Sequence, residues 1–551
     1  MIRMMRQRLI WMLLSVLVLP MAEAPAAVSR EALEPIRHLA IQHRGRHKPF
    51  DSFARETLDF ITGSPRIGHD DPVATALSLI TEPERWQAEP LIAVPFQPLR
   101  EALGMDANAS NISYNELVQT RKLMKMLPAI VQKQQRDEKL TMLEQETMDV
   151  YERFVALNAL FEQELQLVPS APFNTSVSAS WLPIFEPHGY AQEQQEALRQ
   201  PWTLLTSAFR EGNSQALVAA TRSLATALRA ANPAYYPAPW RLQLEVLYNR
   251  AAPFDAAKWL YLLAIIGLAA SLKVRKGQLA RVGMGALWAA FLIHGAGILV
   301  RVVLGGRPPV SNFYETMLWL PFVAMLVALI FEHRHRVTYV GIAASTLAAI
   351  TLVLADHLPL DPSISPVVAV LRSNLWLTIH VLTIVACYGA LALATVLAHL
   401  YGGALLARRA RPALQTLELL LYRSIQVGVV LLAGGIMLGA VWANASWGRY
   451  WGWDPKETWA LITLLWFLAM LHGRFAGWLK GPGVALGTMA GFFLLLMTYY
   501  GVSFYLVGLH SYAGGHAKPL PPLLIIYLVA EIAFIAAVGV VNTFRKKPLA
   551  S

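Results

Sequence analysis

The sequence predicts an all-α fold: a polytopic helical membrane protein of about nine transmembrane helices behind an N-terminal, mostly helical extracytoplasmic domain. Three observations predict it. Hydrophobic residues make up 55% of the chain and charged ones 15%, against about 25% charged in a soluble globular chain. Long apolar runs recur from residue 256 onward, and none long enough to span lies between 27 and 255. Basic residues gather in every second loop between those runs, the pattern that orients helices in a bilayer. The same composition excludes a disordered or collagen-like chain.

The net charge of +11 is the kind that cytoplasmic loops give a membrane protein, and no nucleic-acid partner is expected. A single cysteine, Cys387, excludes within this chain a disulfide framework, CxxC redox chemistry and cysteine-rich metal sites. It also excludes the CxxCH haem-attachment motif. Cys387 itself lies inside an apolar run and reads as packing.

In chain order, Arg3, Arg6 and Arg8 precede the apolar run Leu9 to Leu19, and Ala24-Pro25-Ala26 follows. Residues 1–26 therefore read as a signal peptide, with an uncleaved anchor as the other reading. Residues 27–255 are polar, proline-punctuated and helical in pattern. Ser113 and Glu116 make a capping box, and apolar residues recur at helical spacing from Asn115 to Leu167. This predicts two long helices separated near Pro128. Candidate spans follow at roughly 256–272, 282–304, 314–331, 338–355, 374–402, 424–443, 457–474, 484–506 and 522–542. Each is long and apolar enough, or nearly so, to cross as a single helix. Lys273, Arg275, Lys276 and Arg281 follow the first span. Arg334 and Arg336 follow the third, Arg408, Arg409, Arg411 and Arg423 lie between the fifth and sixth, Arg474 and Lys480 follow the seventh, and Arg545, Lys546 and Lys547 the ninth. Residues 27–255 are therefore expected outside and the tail 544–551 in the cytoplasm.

Between the sixth and seventh spans, within the loop 444–459, lies Trp447-Gly448-Arg449-Tyr450-Trp451-Gly452-Trp453-Asp454-Pro455-Lys456-Glu457-Thr458-Trp459. The expected topology puts it on the outer face. Flat apolar rings with glycines between them suit a flat aromatic ligand, whereas an interfacial belt needs only scattered rings. Asp454 can cap a helix that begins at Pro455. This string resembles the WWD signature, WGxxWxWDxxE, of the haem-handling proteins of cytochrome c maturation. Within that superfamily, which also holds CcmC and CcmF, residues 256–515 look most like the CcsA (ResC) family. Pro308-Pro309-Val310-Ser311-Asn312-Phe313-Tyr314-Glu315 and Gly508-Leu509-His510-Ser511-Tyr512 carry the same likeness. The resemblance implies an external haem platform in which Trp447, Trp451, Trp453 and Asp454 contribute to the surface.

The fourteen histidines sort by depth. His380, in the outer part of the fifth span, and His510, just past the outer end of the eighth, flank the tryptophan loop. Haem iron takes axial imidazoles on opposite faces, so its ligands come from two elements. These two fit, and the resemblance likewise implies that they ligate external haem. His472, near the inner end of the seventh span, matches a family histidine that ligates haem entering from the cytoplasmic side. The family's partner, CcsB (ResB), would supply the other intramembrane ligand. His294, midway along the second span, is either a ligand or a helix–helix hydrogen bond. His333 and His335 read as solvated, His399 is open, and His516 yields to His510 on the Gly508-Leu509-His510 match. His43 and His47 share an i, i+4 spacing, but nothing nearby in sequence completes a metal site.

The implied function is cytochrome c biogenesis. Haem b, the transported substrate, is delivered across the membrane and presented to the CxxCH thiols of apocytochrome c. The chain would act as part of a cytochrome c synthase. Such chemistry needs ferrous haem and thiol-reducing proteins that keep the apocytochrome reduced. No nucleophile or acid/base pair stands out, so positioning is expected to contribute most of the rate. The rivals are a haem exporter or chaperone and a b-type electron carrier. The family usually acts with a CcsB-like partner chain in the lipid. Here the segment Gln42 to Glu56 is similar to a short stretch of fused CcsB–CcsA chains.

Overall fold

The computed structural model describes residues 28–106, 108–171, 180–274, 277–358, 360–366, 375–510 and 521–546. The proposed signal segment, Arg275, Lys276, Ser511, Tyr512, His516 and the tail from Lys547 lie outside these residues. The chain divides into two units, Met1–Leu247 and Tyr248–Ser551, a boundary slightly ahead of the one read at 255/256.

Among the described residues, the first unit is helical with three two-stranded antiparallel sheets. Ala40–His43 pairs with Arg46–Pro49 through a two-residue turn. Arg44 and Gly45 both take positive φ, 49° and 74°, as a hairpin turn matching the strand twist requires. The helix Phe50–Thr62 follows directly. Together they contain the Gln42 to Glu56 segment, and most of its charged residues are ion-paired. Lys48, 2% exposed, bonds to Glu56. Arg46 makes a two-pronged pair with Glu245, at 2.6 and 2.7 Å. His47 stacks on Trp181, and His43 lies edge-on to Phe53.

Burial works against ionisation of Glu56, but the His43 ring, the Lys48 ammonium and the Arg46 guanidinium hold its carboxyl down to about 2. An unfolded glutamate titrates near ~4.3. The folded value is depressed, so this stabilisation is present above pH ~4.3 and is lost as pH falls through about 2. Glu56→Gln leaves Lys48 buried without its counter-charge, which costs roughly 3 kcal/mol. Hydrogen exchange over residues 40–60 of the full chain should accelerate accordingly at neutral pH; unchanged exchange would show that the pair does not hold this segment.

The region after Ser113 departs from the sequence expectation. The capping box at Ser113 and Glu116 is present, but three helices follow: Tyr114–Thr120, Lys122–Gln135 and Met142–Phe161. Pro128 lies inside the second. The breaks fall at Arg121 and around Asp137, both left-handed with φ of 51° and 56°. A second capping box, Thr141 with Glu144, starts the third helix.

Among the described residues of the second unit, nine helices are long and apolar enough to cross a membrane. The chain is a multi-pass membrane protein. The spans are Pro253–Val274, Gly277–Gly305, Phe313–His335, Thr338–His357, Leu375–Leu406, Arg411–Trp447, Pro455–Phe475, the Gly481–Tyr505 run and Pro522–Lys546. The fifth is the most buried and packs along the sixth. Gly428 lets that contact close: a Cβ there would sit 2.5 Å from the Leu391 side chain.

The loops after even-numbered spans meet at one end. Arg301 Nη1 donates to Pro362 O at 2.9 Å, and Leu509 N donates to Asp454. The start of the sixth span and the end of the seventh meet at the other end, where Arg474 pairs with Glu418 at 2.5 Å. The Lys- and Arg-poor loops thus share one end of the bundle.

Candidate functional site

The fifth and sixth spans build one side of the site. Gly435, Gly439 and Trp442 recur every three or four residues, so they share a face of the sixth span. His380 of the fifth span enters that face. A Cβ on Gly439 would lie 2.6 Å from His380 Cε1, so a larger residue would displace the ring. The Gly435 carbonyl lies 2.8 Å from His380 Nδ1. A carbonyl only accepts, so Nδ1 carries the proton and the lone pair sits on Nε2. The indole of Trp442 lies parallel to this ring, at 8° and 6.1 Å between centroids.

The tryptophan segment builds the other side. The sixth span ends at Trp447, with Gly448 left-handed at φ 72°. Asp454 caps the seventh span. Its Oδ1 accepts from Lys456 N at 2.9 Å, while Glu457 accepts from Asp454 N at 3.2 Å. The same carboxylate reaches the residues after the eighth span. Oδ2 accepts from Leu509 N at 2.7 Å, and Oδ1 lies 2.8 Å from His510 Nδ1.

Burial opposes ionisation of Asp454, but the His510 ring and the Lys456 and Leu509 amides hold its carboxyl below the usual carboxylate range. Facing a carboxylate, His510 also carries its proton on Nδ1, leaving the lone pair on Nε2. Trp447 stands edge-on to His510 at 5.2 Å. Trp442 lies 5.8 Å from His510 and 4.7 Å from Trp447. Trp442, 1% exposed, therefore joins the two histidines.

Both histidines line a cavity of about 750 Å³, together with Trp442, Tyr450, Trp451 and Lys456. Small-molecule sites commonly run to about 300–1,000 Å³. The segment Pro308 to Glu315 shapes part of its wall. Buried Glu315 accepts from Arg301 at 3.1 Å, Arg307 at 2.9 Å and the Ser311 hydroxyl at 2.6 Å. Asn312 caps the third span through Glu315 N at 2.8 Å. The glutamate and asparagine of that motif thus fix the loop.

The structure brings together His380, His510, Trp447, Trp451 and Asp454. Trp453 stands apart from the cavity, 70% exposed and left-handed at φ 56°, with its ring edge-on to Trp451. His472 is exposed in the last turn of the seventh span, with Nδ1 2.7 Å from Leu468 O. At 1.5 Å per residue it lies about 26 Å along the helix from Pro455. His294 is fully buried; Nε2 lies 3.0 Å from Leu318 O and Nδ1 3.3 Å from Tyr261 Oη. Both its nitrogens thus have neighbours on adjoining helices. His399 pairs with Glu531 of the ninth span at 2.7 Å. Sequence reasoning missed Gly435, Trp442 and Lys456. Trp442 had one signal, its place a helical repeat beyond Gly435 and Gly439.

Fold and site define a polytopic membrane protein with two oriented imidazoles and a tryptophan cluster over one cavity. Residues 310–510 match the Cytochrome C assembly protein family. Protein NrfI of Wolinella succinogenes is 31% identical over 526 residues, 90% of this chain and 56% of NrfI. The chain therefore spans little more than half the length of that relative, and the likeness takes in most of both units. Cytochrome c biogenesis protein CcsA of Prochlorococcus marinus (strain MIT 9515) is 35% identical over 253 residues, 39% of this chain and 78% of that protein. CcsA of Guillardia theta is 34% identical over 249 residues, 39% of this chain and 82% of the relative. The solved structure of Cytochrome c Heme Lyase CcmF superposes with a TM-score of 0.40 at 16% identity, over 56% of this chain and 52% of that one. The chain belongs to the CcsA family of cytochrome c biogenesis proteins.

Proposed function

We propose that this chain holds haem b, as substrate, between His380 and His510 and presents it to the CxxCH thiols of apocytochrome c. The observation that carries the reading is the matched pair of imidazoles. Each has Nδ1 committed to an acceptor, Gly435 O or Asp454 Oδ1, and both line one cavity. Metal-ligating histidines characteristically donate their other N–H to a carbonyl or carboxylate, which fixes ring orientation and raises ligand basicity. Trp442 and Trp451 give the cavity flat apolar walls suited to a macrocycle. Addition of a cysteine S–H across a haem vinyl group requires that the two be held together, and a fixed iron supplies that orientation.

The topology follows the basic loops. The end bearing the tryptophan segment faces the periplasm, and Arg408, Arg409 and Arg474 face the cytoplasm. In this reading residues 1–26 direct the first unit outward. The exposed His472 ligates haem on its way in, with the second ligand from a CcsB-like partner chain. Thiol-reducing proteins keep the apocytochrome ready. His294, with neighbours at both nitrogens, serves helix packing.

The test is to purify the full chain from membranes with its partners and record ferric and ferrous absorption spectra, then supply apocytochrome c. A low-spin bis-imidazole spectrum and covalent haem on the apocytochrome are expected. Bound haem that never becomes covalent would make the chain a chaperone; absence of haem would remove the reading.

A further inference from the structure

Among the described residues, two cationic side chains line the cavity, Arg307 and Lys456, and their surroundings differ. The Arg307 guanidinium already has a carboxylate, Glu315, at 2.9 Å, and it also donates to Ser365 O at 2.6 Å. The Lys456 ammonium has neutral partners only: Tyr499 O at 3.2 Å and Ser503 Oγ at 2.9 Å. Among the described residues no carboxylate oxygen lies within 4.0 Å of Nζ. The nearby Asp454 is occupied by His510, Leu509 and the Lys456 amide, and Glu457 by the Gly452 and Asp454 amides.

An ammonium carries three donors, and two are used here. A half-buried cation lining a largely apolar cavity is stabilised by an anionic partner. Nothing described within the chain supplies one at contact distance. The ligand of the proposed function does, because haem b is an amphiphile with an apolar macrocycle and two propionate carboxylates on one edge.

We infer that Lys456 binds a carboxylate of the macrocycle and so fixes which edge of the ring faces inward. This rests on the proposed function and adds orientation to it. The propionates lie on the side of the ring remote from the vinyl groups. Anchoring them at Lys456, beside the third and eighth spans, turns the vinyl edge away from that wall and toward the incoming thiols. Lys456 is thus a positioning residue, and the two histidines alone would leave rotation about the iron–nitrogen axis unspecified.

The experiment compares haem b with its dimethyl ester, in which both carboxylates are neutral, on the full-length protein in detergent. Wild type should bind haem b more tightly than the ester, by on the order of tenfold to a hundredfold, the range for a hydrogen bond to a charged group. Lys456→Gln should reduce that preference by about tenfold, with the bis-imidazole spectrum retained. Lys456→Arg, which keeps the charge, should preserve the preference and controls for misfolding. A preference unchanged in Lys456→Gln would overturn the inference while leaving the histidine site intact. Wild type that binds haem without the bis-imidazole spectrum, or binds none, would overturn both.

Discussion

Replacing His380 or His510 by alanine is expected to abolish maturation of c-type cytochromes, and added imidazole to restore part of it. Each ring reaches the cavity from a separate element, His380 from the fifth span and His510 from beyond the eighth. Neither substitutes for the other. Losing only an outer partner of a metal ligand typically costs about 10–100-fold in affinity or activity; losing the ligand itself should exceed that. Truncating His380 leaves a gap between Gly435, Gly439 and Trp442 that is ring-shaped and open to the cavity, so free imidazole has a place to lodge. The measurement is covalent haem in a co-expressed cytochrome, with and without imidazole, beside the spectrum of the purified variant. Normal maturation in both alanine variants would remove the ligand role.

Asp454→Ala should be nearly as damaging, although Asp454 touches no iron in this reading. The cap alone is worth roughly 1 kcal/mol, and the side chain also holds Leu509 N and His510 Nδ1. Asp454→Asn keeps an oxygen for the cap but presents a weaker, neutral acceptor to His510. An intermediate loss is expected, within about tenfold of wild type, against about 100-fold for alanine. The sign of the pH dependence follows from the depressed carboxyl. Its contribution is present above the unfolded value, ~3.9, and disappears as pH falls through the lower folded one. The advantage in haem affinity of wild type over the alanine variant should therefore persist into acid and close only as the Asp454 carboxyl protonates. Equal affinities in wild type and both variants, measured by haem titration, would leave Asp454 as a cap alone.

The spans were legible because a bilayer demands apolar length and closed backbone hydrogen bonds, which survive in any reading of composition. The cap at Asp454 was legible because Asp-Pro at a helix start has a local cause. What escaped depended on contacts distant in sequence. Trp442 looks like any aromatic residue near a span's end until His380, 62 positions earlier, is seen parallel to it. Lys456 reads as a solvated residue of a first helical turn until the eighth span closes over it. The misplaced break at Pro128 had a different origin. Pro128 is accommodated inside the second helix, the Thr141 capping box starts the third, and Arg121, a residue type that seldom takes positive φ, ends the first.

The two imidazoles are braced by different materials. One leans on a peptide carbonyl, which no codon change can remove while the sixth span stays helical. The other leans on a side chain that a single nucleotide can alter. Mutational damage to ligand alignment should therefore be lopsided. Screens for partial loss of function ought to recover lesions that misalign His510 through position 454, and to find His380 disturbed chiefly by bulk introduced at Gly435 or Gly439.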